Sequence, residues 1–181
     1  RERAIPVIYD GDRFEQAEDA WYIPRSMNRV IALAFEEDYH AIANTPGRLA
    51  SAATGNGYSR MAVTSSQLSD YIRGLGYRAL PAGKGVGLSI PIAIDAGLGQ
   101  LGRMGLLVTP KYGPRVRLAK VITDMPLLPS APIDFGVTEF CEACMLCATD
   151  CPSESVTTGP MTYEGPSASN NPGARKWYTA G

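Results

Sequence analysis

The chain has 181 residues, 45% apolar and 19% charged, with a formal net charge of -1. That length suits one domain with a small appendage and leaves enough apolar residues for a core. The near-zero charge gives no electrostatic basis for nucleic-acid binding, and no apolar run approaches the ~20 residues of a membrane-spanning helix.

Residues 1–27 are polar, with Pro6, Pro24 and acidic residues from Glu15 to Asp19, and read as surface structure. Arg29 to Glu37 is almost continuously apolar, which predicts a buried central strand. Thr45-Pro46 has the form of a helix start, with Thr45 as cap, and predicts a helix over about 46–53. Gly55-Asn56-Gly57 is turn chemistry and predicts an interruption. A second helix then runs from about Tyr58 to Leu75, with Met61, Leu68, Tyr71, Ile72 and Leu75 as its apolar stripe. Gly76 ends it. A short strand at 77–80, a glycine-rich loop at 81–87 containing Lys84, and a helix over 89–96 follow. Strands are expected over 106–109 and 116–124. Pro126, Pro129 and Pro132 make a stiff linker. Beyond Pro152 the chain is rich in Gly, Pro, Ser and Asn and reads as loop laid over a partner surface. The fold class is α/β (α+β), divided into a domain at 1–130 and a cysteine-bearing segment at 131–181.

All four cysteines lie within 140–152, FCEACMLCATDCP. Cys141, Cys144, Cys147 and Cys151, with Pro152 behind them, have the C-x2-C-x2-C-x3-C-P spacing of the bacterial ferredoxin run that holds a 4Fe–4S cluster. A structural zinc site would set two C-x2-C pairs across a longer spacer. Disulfides would have to close within eleven residues, against the strain of this packing. A thioredoxin-like pair needs one C-x2-C alone. In two-cluster ferredoxins the fourth cysteine of the run serves the other cluster. Either one cluster takes all four cysteines here, or the sequence is a piece of a longer protein. The second is expected, and the opening on Arg1 agrees with it.

Gly97-Leu98-Gly99-Gln100-Leu101-Gly102 matches G-x-G-x-x-G, but a helix is expected before it and a strand after it, the reverse of a dinucleotide site. Tight turns explain it, or close backbone approach to a large flat cofactor. Tyr58 follows the Gly-Asn-Gly turn and is placed to enter a pocket, although an ordinary interfacial tyrosine is the plainer reading. Arg115 and Arg117 share a strand face, with Lys120 imperfectly in line. A solvated edge is the plainer reading there; a guanidinium close to a tyrosine would stabilise tyrosinate. The only histidine, His40, lies in Asp38-Tyr39-His40 and reads as a surface or core residue.

Together the stretches TGNGYSRMA (54–62), DYIRGLGYRALP (70–81), SIPIAIDAGLGQLGRMGLLVTPKYGPRVRLAKVITDMPL (89–127), FCEACMLCATDCPSESV (140–156) and NPGARKWY (171–178) resemble the cobalamin-dependent reductive dehalogenases. The resemblance implies a nitroreductase-like corrinoid-binding core at 1–130 and a partial ferredoxin-like 4Fe–4S module at 131–181. It implies base-off cobalamin and two clusters in the complete enzyme, with Cys141, Cys144 and Cys147 on one and Cys151 on the other. The family's catalytic tyrosine falls on Tyr58, its supporting arginine on Arg117 and a third polar position on Lys84. Thr54 lies beside the same pocket, and Gly97, Gly99 and Gly102 fall in the cofactor-binding segment. The implied reaction is reductive cleavage of a carbon–halogen bond in organohalide respiration. The implied partners are an organohalide, a respiratory electron donor and a small membrane anchor protein, with no nucleic acid. Respiratory members are exported and membrane-associated, whereas some relatives are cytoplasmic. Two other readings share parts of this pattern: an epoxyqueuosine-reductase-like cobalamin enzyme and a ferredoxin-type electron-transfer protein.

Overall fold

The computed structural model describes residues 7–18, 20–83 and 86–163. Lys84 and the 171–178 stretch lie outside the described residues.

The polar opening is more ordered than its composition predicts. Strands β1 (Val7–Tyr9), β2 (Glu15–Gln16) and β3 (Trp21–Ile23) form a sheet in the order β1-β3-β2. β1 is parallel to β3 and β2 antiparallel to it. Strands of two or three residues are too short to show an alternating pattern, which is why the composition concealed them.

The main sheet contains β4 (Arg29–Glu36), β5 (Ala79–Ala82) and β8 (Val116–Thr123), all antiparallel, in the order β4-β8-β5. The expected central strand at 29–37 is therefore an edge among the described residues, and β8 is the centre. The apolar run misleads because both faces of β4 are covered, one by α2 (Arg48–Gly74) and the other by α3 (Ser89–Asp95). Continuous apolar sequence reports two covered faces, not a central position.

The two helices expected at 46–53 and 58–75 are one. After the short α1 (Tyr39–Ile42), α2 runs unbroken for 27 residues, about 40 Å at 1.5 Å per residue. Gly47 is its N-cap, so Thr45 does not cap it; the Thr45 hydroxyl donates instead to the Ile42 carbonyl at 2.6 Å. Gly55 and Gly57 disfavour helix by about 1 kcal/mol each relative to alanine. The buried stripe Ala50, Gly57, Met61, Ser65, Ser69 and Ile72 outweighs that by packing along the sheet. Leu75 caps the far end and Gly76 leaves it at φ +91°, a conformation suited to glycine.

The core divides across the sheet. Under α2, its Ile72 packs on Ala79 and Val121 and its Met61 on Phe35 and Ala119. On the opposite face Ile23 and Met27 pack with Leu80, Ala82, Val86 and Ile122. Each fully buried side chain of this size contributes about 1.5–3 kcal/mol. A hairpin, β6 (Gln100–Leu101) with β7 (Leu107–Val108), follows α3, so the context of the glycine motif is helix then strand, as expected. After the proline linker come α4 (Val137–Cys144) and α5 (Leu146–Thr149), which carry three of the cysteines.

Candidate functional site

Alternation along β8 decides which side chains meet. Arg117 shares its face with Ala119 and Val121, which pack under α2, so Arg117 points at the same helix. There its guanidinium carbon lies 5.1 Å from the centroid of the Tyr58 ring, within cation–π range. Tyr58 is 39% exposed. With Met61, Ala62, Ser65, Ser66, Pro81, Gly83 and Ala119 it lines a cleft of about 320 Å³. The structure thus brings Tyr58 and Arg117 together. A larger cleft of about 420 Å³, lined by residues including Asp12, Phe14 and Tyr77, lies apart from Tyr58.

Two further residues fix Arg117. Its Nε donates to Glu37 Oε1 at 3.0 Å, and Nη2 donates to Thr54 Oγ1 at 3.3 Å. The Thr54 hydroxyl donates to the same Glu37 oxygen at 3.0 Å. Glu37 is 6% exposed, so its carboxylate is compensated by these donors and not by water. Gly57 makes the approach possible: a Cβ there would stand 2.9 Å from Arg117 Cγ. The sequence reading placed Thr54, Tyr58 and Arg117 but missed Glu37. Its signal was the odd-numbered face of β4, on which Ile31, Leu33 and Phe35 lead to Glu37; the unbroken apolar run hid that alternation. Arg115 also meets Glu37, its Nη1 donating to the Glu37 carbonyl at 2.6 Å.

Lys120 faces the other way and is no solvated edge. It is 1% exposed, and its ammonium donates to the Gly83 carbonyl at 3.0 Å and Ser89 Oγ at 2.8 Å. Burial lowers its pKa to about 8. Through Gly83 it holds the wall of the Tyr58 cleft.

Gly97, Gly99 and Gly102 approach the chain's own atoms. A Cβ on Gly97 would meet the Ala131 carbonyl oxygen at 2.5 Å, and one on Gly102 would meet Val108 Cγ2 at 2.8 Å. A Cβ on Gly99 would collide with the Val108 carbonyl. Packing against the hairpin itself at Gly99 and Gly102, and against the linker at Gly97, is enough to require glycine at these positions. His40 is exposed, its ring edge-on to Tyr39 with centroids 5.4 Å apart.

Cys141 and Cys144 sit one turn apart on α4 and so share a face. Met145, at φ +53°, reverses the chain into α5, which carries Cys147. Burial pushes the Cys147 thiol up, the neighbouring Cys141 adds to this, and Arg103 opposes it. Cys151 answers to different neighbours: the Ser153 hydroxyl, then the backbone N–H groups of Ser155 and Ser153, lower its pKa to about 7. All four thiols are free and half-buried. Among the described residues no three His, Cys, Asp or Glu side chains converge as ligands of one ion would.

No family model matches the sequence. The structure has the mixed α/β fold of solved reductive dehalogenases: a catabolic reductive dehalogenase superposes with a TM-score of 0.72 at 26% identity, over 83% of this chain and 21% of that one. Over 90% of its length the chain is 46% identical to tetrachloroethene reductive dehalogenase of Sulfurospirillum multivorans, covering 32% of that protein. It is 44% identical, over 88% of its length, to tetrachloroethene reductive dehalogenase of Desulfitobacterium hafniense, covering 29% of it. An epoxyqueuosine reductase of Lactococcus garvieae is 32% identical over only 38% of this chain. The chain belongs to the reductive dehalogenase family and spans about a third of the length of these curated dehalogenases.

Proposed function

We propose that the chain supplies the substrate side of a corrinoid- and iron–sulfur-dependent reductive dehalogenase, which cleaves a carbon–halogen bond of an organohalide. The observation that carries this reading is Tyr58 at the cleft, with the Arg117 guanidinium against its ring. Residues 1–130 then form the nitroreductase-like corrinoid-binding core and 131–181 the ferredoxin-type segment.

The donor chemistry fits both cofactors. The cysteine run supplies four thiols, the ligands that iron–sulfur clusters take. A cubane spreads its thiolates around a body of several atoms, so it does not need them to converge on one point. Cys141, Cys144 and Cys147 would hold one cluster, and Cys151, with separate neighbours, a second. A flat macrocycle is favoured by small side chains along its wall; Ala62, Ser65, Ser66, Gly83 and Ala119 are small residues of the cleft beside Tyr58, which Met61 and Pro81 also line. A solved dehalogenase of the same fold is described in terms of B12-dependent dehalogenation. The corrinoid would be bound base-off.

When bound, the corrinoid supplies the reducing power and the clusters carry electrons to it. Two electrons and one proton then convert the carbon–halogen bond to carbon–hydrogen and free halide. Tyr58 delivers that proton, as general acid, to the carbon losing halide. Arg117 sets a fixed positive charge over the ring where negative charge is left. Glu37 and Thr54 hold Arg117 in place, and Lys84 is the third polar residue assigned to the reaction. Organohalide respiration implies a respiratory electron donor and a small membrane anchor for an exported, membrane-associated enzyme; a cytoplasmic placement is the alternative. Among the described residues no helix is long and apolar enough to cross a membrane.

The test is Tyr58→Phe in the complete enzyme, assayed for chloride release from tetrachloroethene and related haloethenes. Turnover should fall about 10²–10⁴-fold, with corrinoid absorbance and iron content unchanged. Undiminished turnover removes Tyr58 from the role. Epoxyqueuosine reduction by the unaltered enzyme, without halide release, would overturn the reaction class.

A further inference from the structure

The Tyr58 cleft lies between α2 and a sheet-side wall of Pro81, Gly83 and Ala119. Gly83 directly follows β5 and differs from the hairpin glycines. Its backbone lies outside the left-handed region that favours glycine, and among the described residues nothing lies within 4 Å of a Cβ built on it. Neither backbone conformation nor close packing requires glycine there; what its missing side chain leaves is room at the cleft. Behind that wall stands Lys120. Lysine is seldom fully buried unless its charge is satisfied, yet Lys120 is 1% exposed. Its ammonium donates to the Gly83 carbonyl at 3.0 Å and to Ser89 Oγ at 2.8 Å. Ser89 opens α3, so one ammonium ties the end of a strand to the start of a helix.

We infer that Gly83 is a specificity-determining position of the cleft, and that Lys120 is the positioning residue that holds it there. The inference rests on proton delivery by Tyr58. The carbon that receives the proton must come within hydrogen-bond reach of the phenol, about 2.6–3.2 Å, and so into the cleft that Gly83 lines. The halogens on that carbon and on its neighbour then meet the wall. A wall pinned at a fixed distance from Tyr58 discriminates by size, and one free to shift does not. The leverage is large, since one methylene more or less in a pocket changes relative rates by about 10–200-fold. The pin is applied from the far face of the sheet, so it takes up no space in the cleft.

The test is the ratio of kcat/KM for tetrachloroethene to kcat/KM for the smaller trichloroethene, measured on the complete enzyme with corrinoid absorbance and iron content recorded for each variant. Gly83→Ala sets a methyl on the wall, and the ratio should fall about tenfold below the parent's with both cofactors retained. Lys120→Met removes both hydrogen bonds, and the ratio should rise above the parent's, chiefly through a lower KM for tetrachloroethene. If Lys120→Met does not accumulate as folded enzyme, Ser89→Ala, which removes one of the two acceptors, should raise the ratio in its place. A parental ratio in Gly83→Ala overturns the inference. So does a ratio that falls only as corrinoid is lost, because the wall would then border the cofactor and not the organohalide. A parental ratio in the folded Lys120 or Ser89 variant overturns the role of Lys120. Tyr58→Phe separates the two levels: undiminished turnover there removes the underlying reading, whereas lost turnover there with a parental ratio in Gly83→Ala overturns this inference alone.

Discussion

Arg117 and Lys120 stand three positions apart on β8 and turn to opposite faces, so two cations on one strand do different work. Arg117 meets Glu37, Thr54 and Tyr58; Lys120 holds the backbone at Gly83 and the Ser89 hydroxyl. Lys120 has a measurable signature. Its pKa is lowered by burial to about 8, below the ordinary lysine value it regains on unfolding. Below about pH 8 the folded protein carries a buried charge that it disfavours. Between about pH 8 and 10.5 the unfolded chain binds a proton that the folded chain does not, so this residue's contribution to stability rises with pH. Chemical denaturation of the complete enzyme and of Lys120→Met at several pH values should show the parent gaining on the variant across that window. The lost hydrogen bonds to Gly83 and Ser89 offset the comparison by a constant, and a difference that does not change with pH would refute the assignment. Sequence reasoning located Tyr58 and Arg117 through motif. It could not locate the burial of Lys120, which depends on a loop and a helix brought together from positions 83 and 89.

At the scale of elements, α2 shows how local signals are overruled. Thr54-Gly55-Asn56-Gly57 reads as a turn, but one side of this segment lies against the sheet and helix continues through it. The two glycines have separate purposes. Nothing lies within 4 Å of a Cβ built on Gly55, whereas one on Gly57 meets Arg117. Gly55→Ala should therefore stabilise the protein by about 0.5–1 kcal/mol, the helix-propensity gain, and leave turnover unchanged. Gly57→Ala should lower halide release, because Arg117 must move away from Tyr58. Thermal unfolding and initial rates of both variants check the pair; equal activity would mean that the close approach at Gly57 is dispensable. The strand at 116–124 and the helix over 89–96 were legible because β-branched alternation and a first-turn proline are local. The edge position of β4 was not, since pairing order is a property of distant segments.

Across the whole molecule, two regions are joined through little apolar packing. The main sheet carries core on both faces, against α2 on one and against Ile23, Met27 and Val86 on the other. α4 packs mainly on β6. At its start Gln100 Oε1 accepts from the N–H groups of Phe135 and Val137, while Gln100 Nε2 donates to Asp134 at 2.9 Å. Arg103 binds the other end: its Nε donates to the Cys141 carbonyl at 2.9 Å, and its Nη1 to the carbonyls of Thr157 and Gly159 at 2.8 and 3.0 Å. Removing iron from the complete enzyme should therefore speed hydrogen exchange over 137–159 and leave the β4-β8-β5 sheet protected. Loss of protection in both regions together would show one cooperative unit. The cysteine spacing suggested the chemistry proposed for this segment; its attachment was not legible, because most of the partners of Gln100 and Arg103 given above are backbone groups that sequence does not distinguish.

That choice of partners has a consequence. Carbonyls and amide hydrogens are present at nearly every position, whatever the side chain. A grip on Cys141, Thr157 and Gly159 through their carbonyls does not read the outward residues nearby, such as Phe140, Glu142 and Leu146. The outer surface of the segment is thus free to be recoded while the inner attachment stays the same. The joint works as a standard socket, indifferent to what is written on the face of the plug.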